Sequence, residues 1–443
     1  MKIRLYKLSK DTALTPDHIV AYINNNISEQ ARLNRLYDYY QGKHDILNRY
    51  MEDTKKPNNK IVNPFCQYIT DMITGYFMGI PCTINSKDIE YLEAIKNIFD
   101  LNDGQSENSK LAKYTSIFGK TYEYIYIDED SDIMFLQLDA REIIPIYADT
   151  LTNDLLYVIR YYDVEDIVTG VKTTKVEVYT ENEIIYYDKS ENGLTETNRV
   201  SHAFGVVPII EYRNNDEFIG DFANVISEVN AYDKMQSDSL NDFDLFADAY
   251  LALVGYGGTD DENIAKMKED RILLLEPDGS AQWLVKDTND AHIENMKKRL
   301  EEDIHTFSKC PKMTDENFGT TTGIAMRFKL LGLENLCSVK EREFKKGLQR
   351  RIELITMILN IKGNNYDYRN IEIKFNRNIP TTLVELADVI SKINGVTSEE
   401  TLLTLLPFIT DPKAELAKKK AEVSIEPYTI GNNIINRNSD QTT

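Results

Sequence analysis

The sequence predicts an α+β protein, and three observations predict it. Apolar residues recur every second position through much of Thr121 to Asp188, the signature of strands. They recur every three or four positions over Phe218 to Val254 and Thr288 to Lys309, the signature of a long helix pair. A Thr-Thr-Gly stretch, a basic helix and several short helices then follow.

From the N-terminus, residues 1 to 28 are polar, with a short helix expected after Pro16, and Glu29 to Tyr50 reads as a helix carrying Leu33, Leu36, Tyr40 and Leu47. Thr54 to Lys60 is a basic, Pro- and Asn-rich loop. Asn63 is placed to cap a helix with Pro64 at its first position and Ile69, Met72, Ile73, Tyr76 and Phe77 on its buried face, ending at Gly79 and Pro81. Helices are expected over Lys87 to Phe99 and Asn108 to Phe118. Segments 121 to 127, 133 to 138, 155 to 163, 171 to 180 and 183 to 188 then read as one antiparallel meander, with turns such as Asp128 to Asp132 and Asn192-Gly193.

The first long helix places Phe222, Val225, Ile226, Val229, Tyr232, Gln236, Leu240, Phe243, Ala247, Tyr250 and Leu251 on one side, over roughly ten turns. The second carries Ile293, Met296, Leu300, Ile304 and Phe307, a narrow seam that calls for a partner helix. Between them, Arg271 to Val285 reads as two strands joined by Pro277, Asp278 and Gly279, with Glu276 and Trp283 beside the turn. A helix pair projecting a hairpin is an extended object that neighbours normally complete. Ser338 with Glu341 reads as a capping box opening a helix to Ile361, whose face is Phe344, Leu348, Ile352, Ile355 and Leu359. One strand at Ile371 to Phe375 follows, then short helices near 381 to 394, 398 to 406 and 412 to 422, and a polar tail expected to be disordered from Ser424.

At 443 residues the chain is long enough for about three folded regions. No run approaches the roughly 18 apolar residues of a membrane span, and the N-terminal stretch lacks a signal-peptide pattern, so synthesis in the cytosol is expected. Cys66, Cys82, Cys310 and Cys337 are too dispersed for a disulfide framework or a zinc site and are expected to be reduced and buried. The net charge of −21 opposes tight binding to duplex DNA, which needs an excess of cations to displace condensed counterions.

Catalytic and cofactor motifs fail on spacing. Phe118-Gly-Lys-Thr121 resembles the end of a P-loop, but the position that needs the first glycine is Tyr114, and the lysine precedes a strand instead of a helix. Gly255-Tyr-Gly-Gly258 follows a helix where a dinucleotide fingerprint follows a strand. The five histidines never fall in a metal-binding spacing, so no cofactor and no metal are expected. Seven acids, Asp221, Glu228, Asp233, Asp238, Asp242, Asp244 and Asp248, stand against Lys234 alone over 218 to 254. A solvated or channel-facing acidic surface is the better reading. The alternative is a metal-dependent nuclease or phosphotransferase using the cluster from Asp238 to Asp248. Further on, Lys340, Arg342, Lys345, Lys346, Arg350 and Arg351 depart from the acidic background. They either pair with acidic neighbours or touch phosphates transiently.

The order of these features resembles the portal proteins of tailed bacteriophages, in the branch of long-tailed phages of Gram-positive hosts. The matching fragments include Tyr39-Tyr-Gln-Gly-Lys-His44, Asn58-Asn-Lys-Ile-Val-Asn63, Gly75-Tyr-Phe-Met-Gly-Ile-Pro81, Ser116-Ile-Phe-Gly-Lys-Thr-Tyr122, Phe204-Gly-Val-Val-Pro208 and Glu211-Tyr-Arg-Asn-Asn215. Further on come Val229-Asn-Ala-Tyr-Asp233 with Ser237-Asp238, Thr322-Gly-Ile-Ala325, Gly332-Leu-Glu-Asn335 and Lys345-Lys-Gly347. Each is weak alone; in order, over about residues 30 to 420, they are specific. Asn63-Pro-Phe-Cys66 departs from the pattern, since relatives often have a longer polar lead into that helix.

The resemblance implies a non-enzymatic ring, dodecameric in capsids, at one vertex of the virion head, assembled in the host cytoplasm. Residues 1 to 217 and 310 to 380 would form an α/β wing, 218 to 254 and 288 to 309 the stem helices, 255 to 287 a clip with a β hairpin, and 381 to 423 a helical crown. Gly332, Leu333, Glu334 and Asn335 would lie in or beside a tunnel loop reaching Ser338, with Lys340, Arg342, Lys345, Lys346, Arg350 and Arg351 on the tunnel helix behind it. Asp233, Asp238, Asp242, Asp244 and Asp248 would make the stem acidic. Arg271, Glu276, Pro277, Asp278, Gly279 and Trp283 would dock partners. Those partners would be further copies of the chain, the large terminase subunit, scaffold and major capsid proteins, head-completion adaptors, and double-stranded DNA passing without tight binding. No membrane is implied.

Overall fold

The computed structural model describes residues 5–53, 56–190, 193–246, 250–254, 280–284, 290–313, 323–378, 383–406, 409 and 412–423. The chain divides into two compact units, Met1–Asn378 and Ile379–Thr443.

A short strand, β1 (Tyr6–Leu8), leads into α1 (Pro16–Tyr40), a single helix where two were expected. Thr15 caps it and Pro16 opens it, and buried Ile19, Ile23, Asn26, Leu33, Leu36 and Tyr39 keep one face inward throughout. The polar Asn26 does not break that face, because its amide donates to Tyr161 Oη at 3.3 Å. Gly42, at φ +76, turns the chain out of the helix. Helix α2 (Phe65–Met78) starts one residue later than expected: Pro64 holds the cap position, and Asn63 spends its side chain elsewhere. Strand β2 (Thr83–Asn85), α3 (Ile89–Leu101) and α4 (Gly104–Phe118) follow. Gly119 ends α4 in the left-handed region at φ +84, where any Cβ would strike the Phe218 backbone.

The expected meander is two sheets. Strands β3 (Lys120–Ile127) and β4 (Ile133–Leu138) join the later β10 (Ile209–Arg213) in the order β10-β3-β4. Strands β5 (Ile143–Ala148), β6 (Leu155–Glu165), β7 (Lys172–Tyr179), β8 (Glu183–Ser190) and β9 (Gly193–Ser201) extend β1 into a six-stranded sheet, β1-β5-β6-β7-β8-β9. Strand β5 is buried at every position and so shows no alternation, while β9 is exposed over Thr195 to Ser201 and shows none either.

The first long helix is shorter than its periodicity. A 3₁₀ turn at Ala223–Val225 precedes α5 (Ile226–Phe246), and Tyr250–Val254 is a strand, β11, paired antiparallel with β12 (Ser280–Leu284). Five consecutive apolar residues from Tyr250 fit a strand as well as a helix, and cross-strand pairing decides the case. Strand β12 thus pairs with β11; the first strand and turn of the expected hairpin, 271 to 279, lie outside the described residues, as do Gly255 to Gly258. Helix α6 (Asp290–Ser308) packs on α5 as the seam predicted, with Ile304 buried.

Helices α7 (Gly323–Lys329) and α8 (Leu331–Ile361) come next. The latter runs unbroken through Gly332 and Ser338, so Ser338 caps nothing; its hydroxyl donates to Glu334 one turn earlier, and Glu341 pairs with Arg377. Strand β13 (Glu372–Lys374) pairs with β2. The main core gathers α2, α4, α8 and the three-stranded sheet around Phe77, Phe118, Tyr212 and Phe344. The second unit contains α9 (Leu383–Ile393), α10 (Glu399–Leu403) and α11 (Pro412–Val423), with α10 packed on α11. All four cysteines are free; burial pushes the Cys310 and Cys337 thiols up to about 12.

Candidate functional site

The face that α5 turns inward is polar for three turns. Asp233, Ser237 and Asn241 stand four residues apart and are all buried. Each accepts a backbone N–H from alternate residues of one extended segment: Asn63 N to Asp233 Oδ1 at 2.8 Å, Ile61 N to Ser237 Oγ at 2.9 Å, and Asn59 N to Asn241 Oδ1 at 2.7 Å. The match is geometric, since two residues of extended chain advance about 6.7 Å and four of helix about 6 Å. Asn63 Nδ2 adds a second bond to Asp233 at 2.9 Å, and Asn59 Nδ2 reaches Asp244 at 2.6 Å. This ladder joins two fragments, Asn58 to Asn63 and Asp233 to Asp238, that the sequence offered separately.

The other Asp233 oxygen meets His44 Nδ1 at 2.5 Å, while His44 Nε2 donates to Tyr39 O at 3.1 Å and the ring stacks on Tyr39. Arg49 bonds Asp238 at 2.6 Å and Asn59 O at 2.5 Å. Three of the five acids assigned to a channel-facing stem, Asp233, Asp238 and Asp244, therefore hold the segments before α2 onto α5. Asp233 is wholly buried and contributes nothing to an external field. Asp242 is half-buried, and Asp248 lies outside the described residues. Among the described residues no three His, Cys, Asp or Glu side chains converge as a metal would require, and Asp238 already faces a guanidinium.

Helix α8 sorts its cations by face. Lys340 is buried, its ammonium 2.9 Å from Asp221, which also receives Asn214 Nδ2 at 2.7 Å and the Ser116 hydroxyl. Arg351 is buried too, bidentate on Glu123 at 2.8 and 2.5 Å, with Nη1 on Asn108 at 2.7 Å and the guanidinium 4.3 Å over Phe135. Burial works against the Arg351 charge and the Glu123 carboxylate outweighs it, so the guanidinium is raised above its ordinary value. Neither side chain is exposed; both point to the core side of the helix, where a lone charge would be untenable. Leu333 is buried and Glu334 holds Tyr76 Oη at 2.8 Å and Arg377 at 3.1 Å, so neither belongs to a loop.

At 100° per residue, Ser338, Arg342, Lys345 and Gln349 share one outer side of α8, with Gly332 and Asn335 exposed near its start. Arg342 and Lys345 form no ion pair among the described residues. Lys346 and Arg350 lie on the adjoining side, held at 2.5 and 2.6 Å by Glu343 and Glu353 and lining a cleft against the six-stranded sheet. The pairing alternative thus holds for four of the six cations. Of the expected partner-docking residues, Trp283 lies on β12; Arg271, Glu276, Pro277, Asp278 and Gly279 lie outside the described residues.

Sequence reasoning quoted His44, Asn59, Asn63 and Ser237 only within separate fragments and Asp221 only as a surface acid, missed Asn241, and did not foresee that these side chains meet partners inside the fold. The available signal was the run of polar residues at i, i+4 and i+8 on a helix otherwise assigned an apolar inner face.

Comparison with known proteins gives the class. Residues 20–424 match the family described as "Phage portal protein, SPP1 Gp6-like". The chain belongs to this family of phage portal proteins. It is similar to the portal protein of Bacillus phage SPP1, 24% identical over 412 residues that cover 88% of this chain and 81% of the relative. It is also 24% identical over 444 residues to the portal protein of Clostridium phage phiCD119, covering 92% of this chain and 97% of that one. Among the described residues no helix is long and apolar enough to cross a membrane.

Proposed function

We propose that this subunit assembles head to tail into a ring, a dodecamer at one capsid vertex, through which double-stranded DNA is packaged and later ejected. Family membership over residues 20–424 is the observation that carries the reading. In this reading 1 to 217 and 310 to 380 form the wing, 218 to 254 and 288 to 309, with α5 and α6, the stem, 255 to 287, with β12, the clip, and 381 to 423 the crown. Trp283 and the residues from Arg271 to Gly279 dock the large terminase subunit during packaging and head-completion adaptors afterwards. Scaffold and major capsid proteins hold the ring in the shell.

The wall that DNA passes must not grip it. Arg342 and Lys345, with Gly332 and Asn335 nearby, form the side of α8 that touches phosphates in passing. The acids that the stem presents to solvent, Asp244 among them, repel the duplex over a Debye length of about 8–10 Å. Native mass spectrometry with negative-stain imaging of the purified full chain tests the ring: closed particles of about twelve subunits with a central hole are expected, and a species that stays monomeric or dimeric at every concentration overturns it.

A further inference from the structure

Strand β9 leaves the six-stranded sheet at Ser201, and residues 202 to 208 carry the chain across to β10 in the three-stranded sheet. His202 fastens the start of that crossover to the β7-β8 turn. Its backbone N–H donates to Asn182 O at 2.9 Å, and its ring Nε2 donates to Thr180 O at 3.2 Å. The other ring nitrogen, Nδ1, accepts from Phe204 N at 3.4 Å. The turn that His202 grips is itself bonded, since Thr180 Oγ1 accepts Glu183 N at 3.0 Å and donates to Glu183 O at 2.9 Å. Beyond the pin, Phe204 and Val207 are buried in the main core, and Gly205, at φ +64, turns the chain between them.

These partners fix the protons of the ring. A carbonyl oxygen only accepts, so Nε2 carries a hydrogen; a backbone N–H only donates, so Nδ1 offers its lone pair. The ring is therefore neutral, and a second proton, at Nδ1, would face the Phe204 N–H and strand it. The charged groups on the surrounding elements do little to favour that proton. Glu183 on β8 attracts it, but its carboxylate already holds Arg199 of β9 at 2.7 Å. Glu181 stands exposed on the turn, β6 beside it in the sheet begins with the uncharged Leu155 to Tyr157, and Glu211 and Arg213 of β10 pair with each other at 2.6 Å. Burial outweighs both the Thr180 bond and the Glu183 charge, and it holds the imidazole below its ordinary value.

We infer that His202 is an acid-released pin: while neutral it holds the crossover to the β7-β8 turn, and a second proton frees the crossover from that turn. Thr180 to Glu183 and Gly205 to Val207 both line the cleft between the six-stranded sheet, β10 and α8, so the pin ties two stretches of the cleft wall together. The sign follows from the direction of the shift. A neutral ring contributes stability in full above the ordinary histidine value of about 6.5, and that contribution is lost as pH falls through the depressed value of the folded chain. Release is local, because Phe204 and Val207 stay buried and Ile125 N holds Pro208 O at 3.0 Å at the far end of the crossover. The device belongs to the single subunit and stands apart from the ring reading.

Backbone hydrogen exchange of the full-length chain, corrected for the intrinsic effect of pH on exchange, tests the pin on peptides covering 180 to 184 and 202 to 207. Strand β5, buried at every position, serves as the reference. Between about pH 7.5 and pH 5 the parent should lose protection about tenfold in both stretches, with a midpoint below about 6.5, while β5 keeps its own. His202→Asn can still accept from Phe204 N, and His202→Gln can still reach Thr180 O, but neither takes up a proton. Both variants should therefore show the same protection at the two pH values, and because the 202 side chain is only half-buried both should fold with unchanged circular dichroism. An equal acid-induced loss in the variants would assign the effect to the neighbouring carboxylates and overturn the inference. So would a parent that keeps its protection in acid, or one whose β5 loosens to the same extent.

Discussion

Asp233 offers a way to weigh the ladder that ties the chain before α2 to α5. The carboxylate is buried and accepts from three donors: His44 Nδ1 at 2.5 Å, Asn63 N at 2.8 Å and Asn63 Nδ2 at 2.9 Å. Asp233→Ala leaves all three facing a void. Removing a buried carboxylate that satisfies three donors costs about 3–5 kcal/mol, since each stranded group loses about 1–3 kcal/mol. Asp233→Asn keeps the shape: its side-chain oxygen still receives Asn63, and a neutral His44 whose Nδ1 accepts from the new amide keeps Nε2–H on Tyr39 O. Its cost should fall to about 1 kcal/mol, the worth of an ordinary buried hydrogen bond. Because a 443-residue chain with two units need not unfold in one step, the assay is local hydrogen exchange read on peptides spanning 44 to 63. The Ala variant should exchange there roughly a hundred- to a few thousandfold faster and the Asn variant about fivefold faster, at 1.4 kcal/mol per decade. Equal acceleration in the two variants, or less than about tenfold in the Ala variant, would refute the claim that unsatisfied donors dominate the cost.

Glu29 gives an acid-side prediction. Burial pushes its carboxyl up, but hydrogen bonds and charge from Arg32 and Lys120 outweigh this and bring it from 4.5 to about 2. A depressed carboxyl stabilises the fold above its unfolded value and loses that contribution as pH falls from about 4.5 toward 2, worth on the order of 2–3 kcal/mol. Urea midpoints should therefore drop across that window in the parent and flatten in Glu29→Gln. Gly347→Ala should destabilise although alanine is the better helix former by about 1 kcal/mol, because its Cβ would strike the ring of Tyr212, which is fully buried and donates to Glu123 at 2.9 Å. A net loss of about 1–3 kcal/mol is expected, and a gain in melting temperature would contradict it. Arg342→Glu/Lys345→Glu should leave ring mass unchanged and lower the DNA packaged or retained in a complementation assay; normal packaging would remove the phosphate role.

The sequence made the helices legible wherever one face was uniformly apolar, as in α2 and α8, and a strand legible where the two faces differed, as in β4, whose Ile133 and Phe135 are buried while Met134 and Leu136 are less so. It failed where that contrast vanished. Strand β5 is buried on both faces, β9 is polar on both, and Tyr250 to Val254 is apolar at every position. Capping signals misled for a related reason. Ser338 and Glu341 have the spacing of a capping box, but the helix already has enough buried surface on its N-terminal side, at Leu333 and Cys337, to run through them. Charge was least legible of all. Lys340 and Arg351 look like their neighbours in the sequence; only the register of α8 shows that Asp221 and Glu123 await them inside the fold.

That sorting bears on the proposed passage of DNA through a ring of acidic subunits. Pairing Lys340 and Arg351 inside the body removes two cations and two acids together, so the excess of −21 remains while the exposed surface grows poorer in positive charge. Lys346 and Arg350 have carboxylate partners on the same helix and sit at the cleft. In the proposed ring, what remains for phosphate on this helix is Arg342 and Lys345. Each neutralised phosphate adds a counterion-release term, and those terms accumulate around a ring, so a full set of six cations from every subunit would hold the duplex too tightly to slide. In the proposed ring, two per subunit, engaged a few at a time against an otherwise repelling wall, would centre the DNA without arresting it. Low affinity is then a requirement of the work, and charge buried in the fold is one means of meeting it.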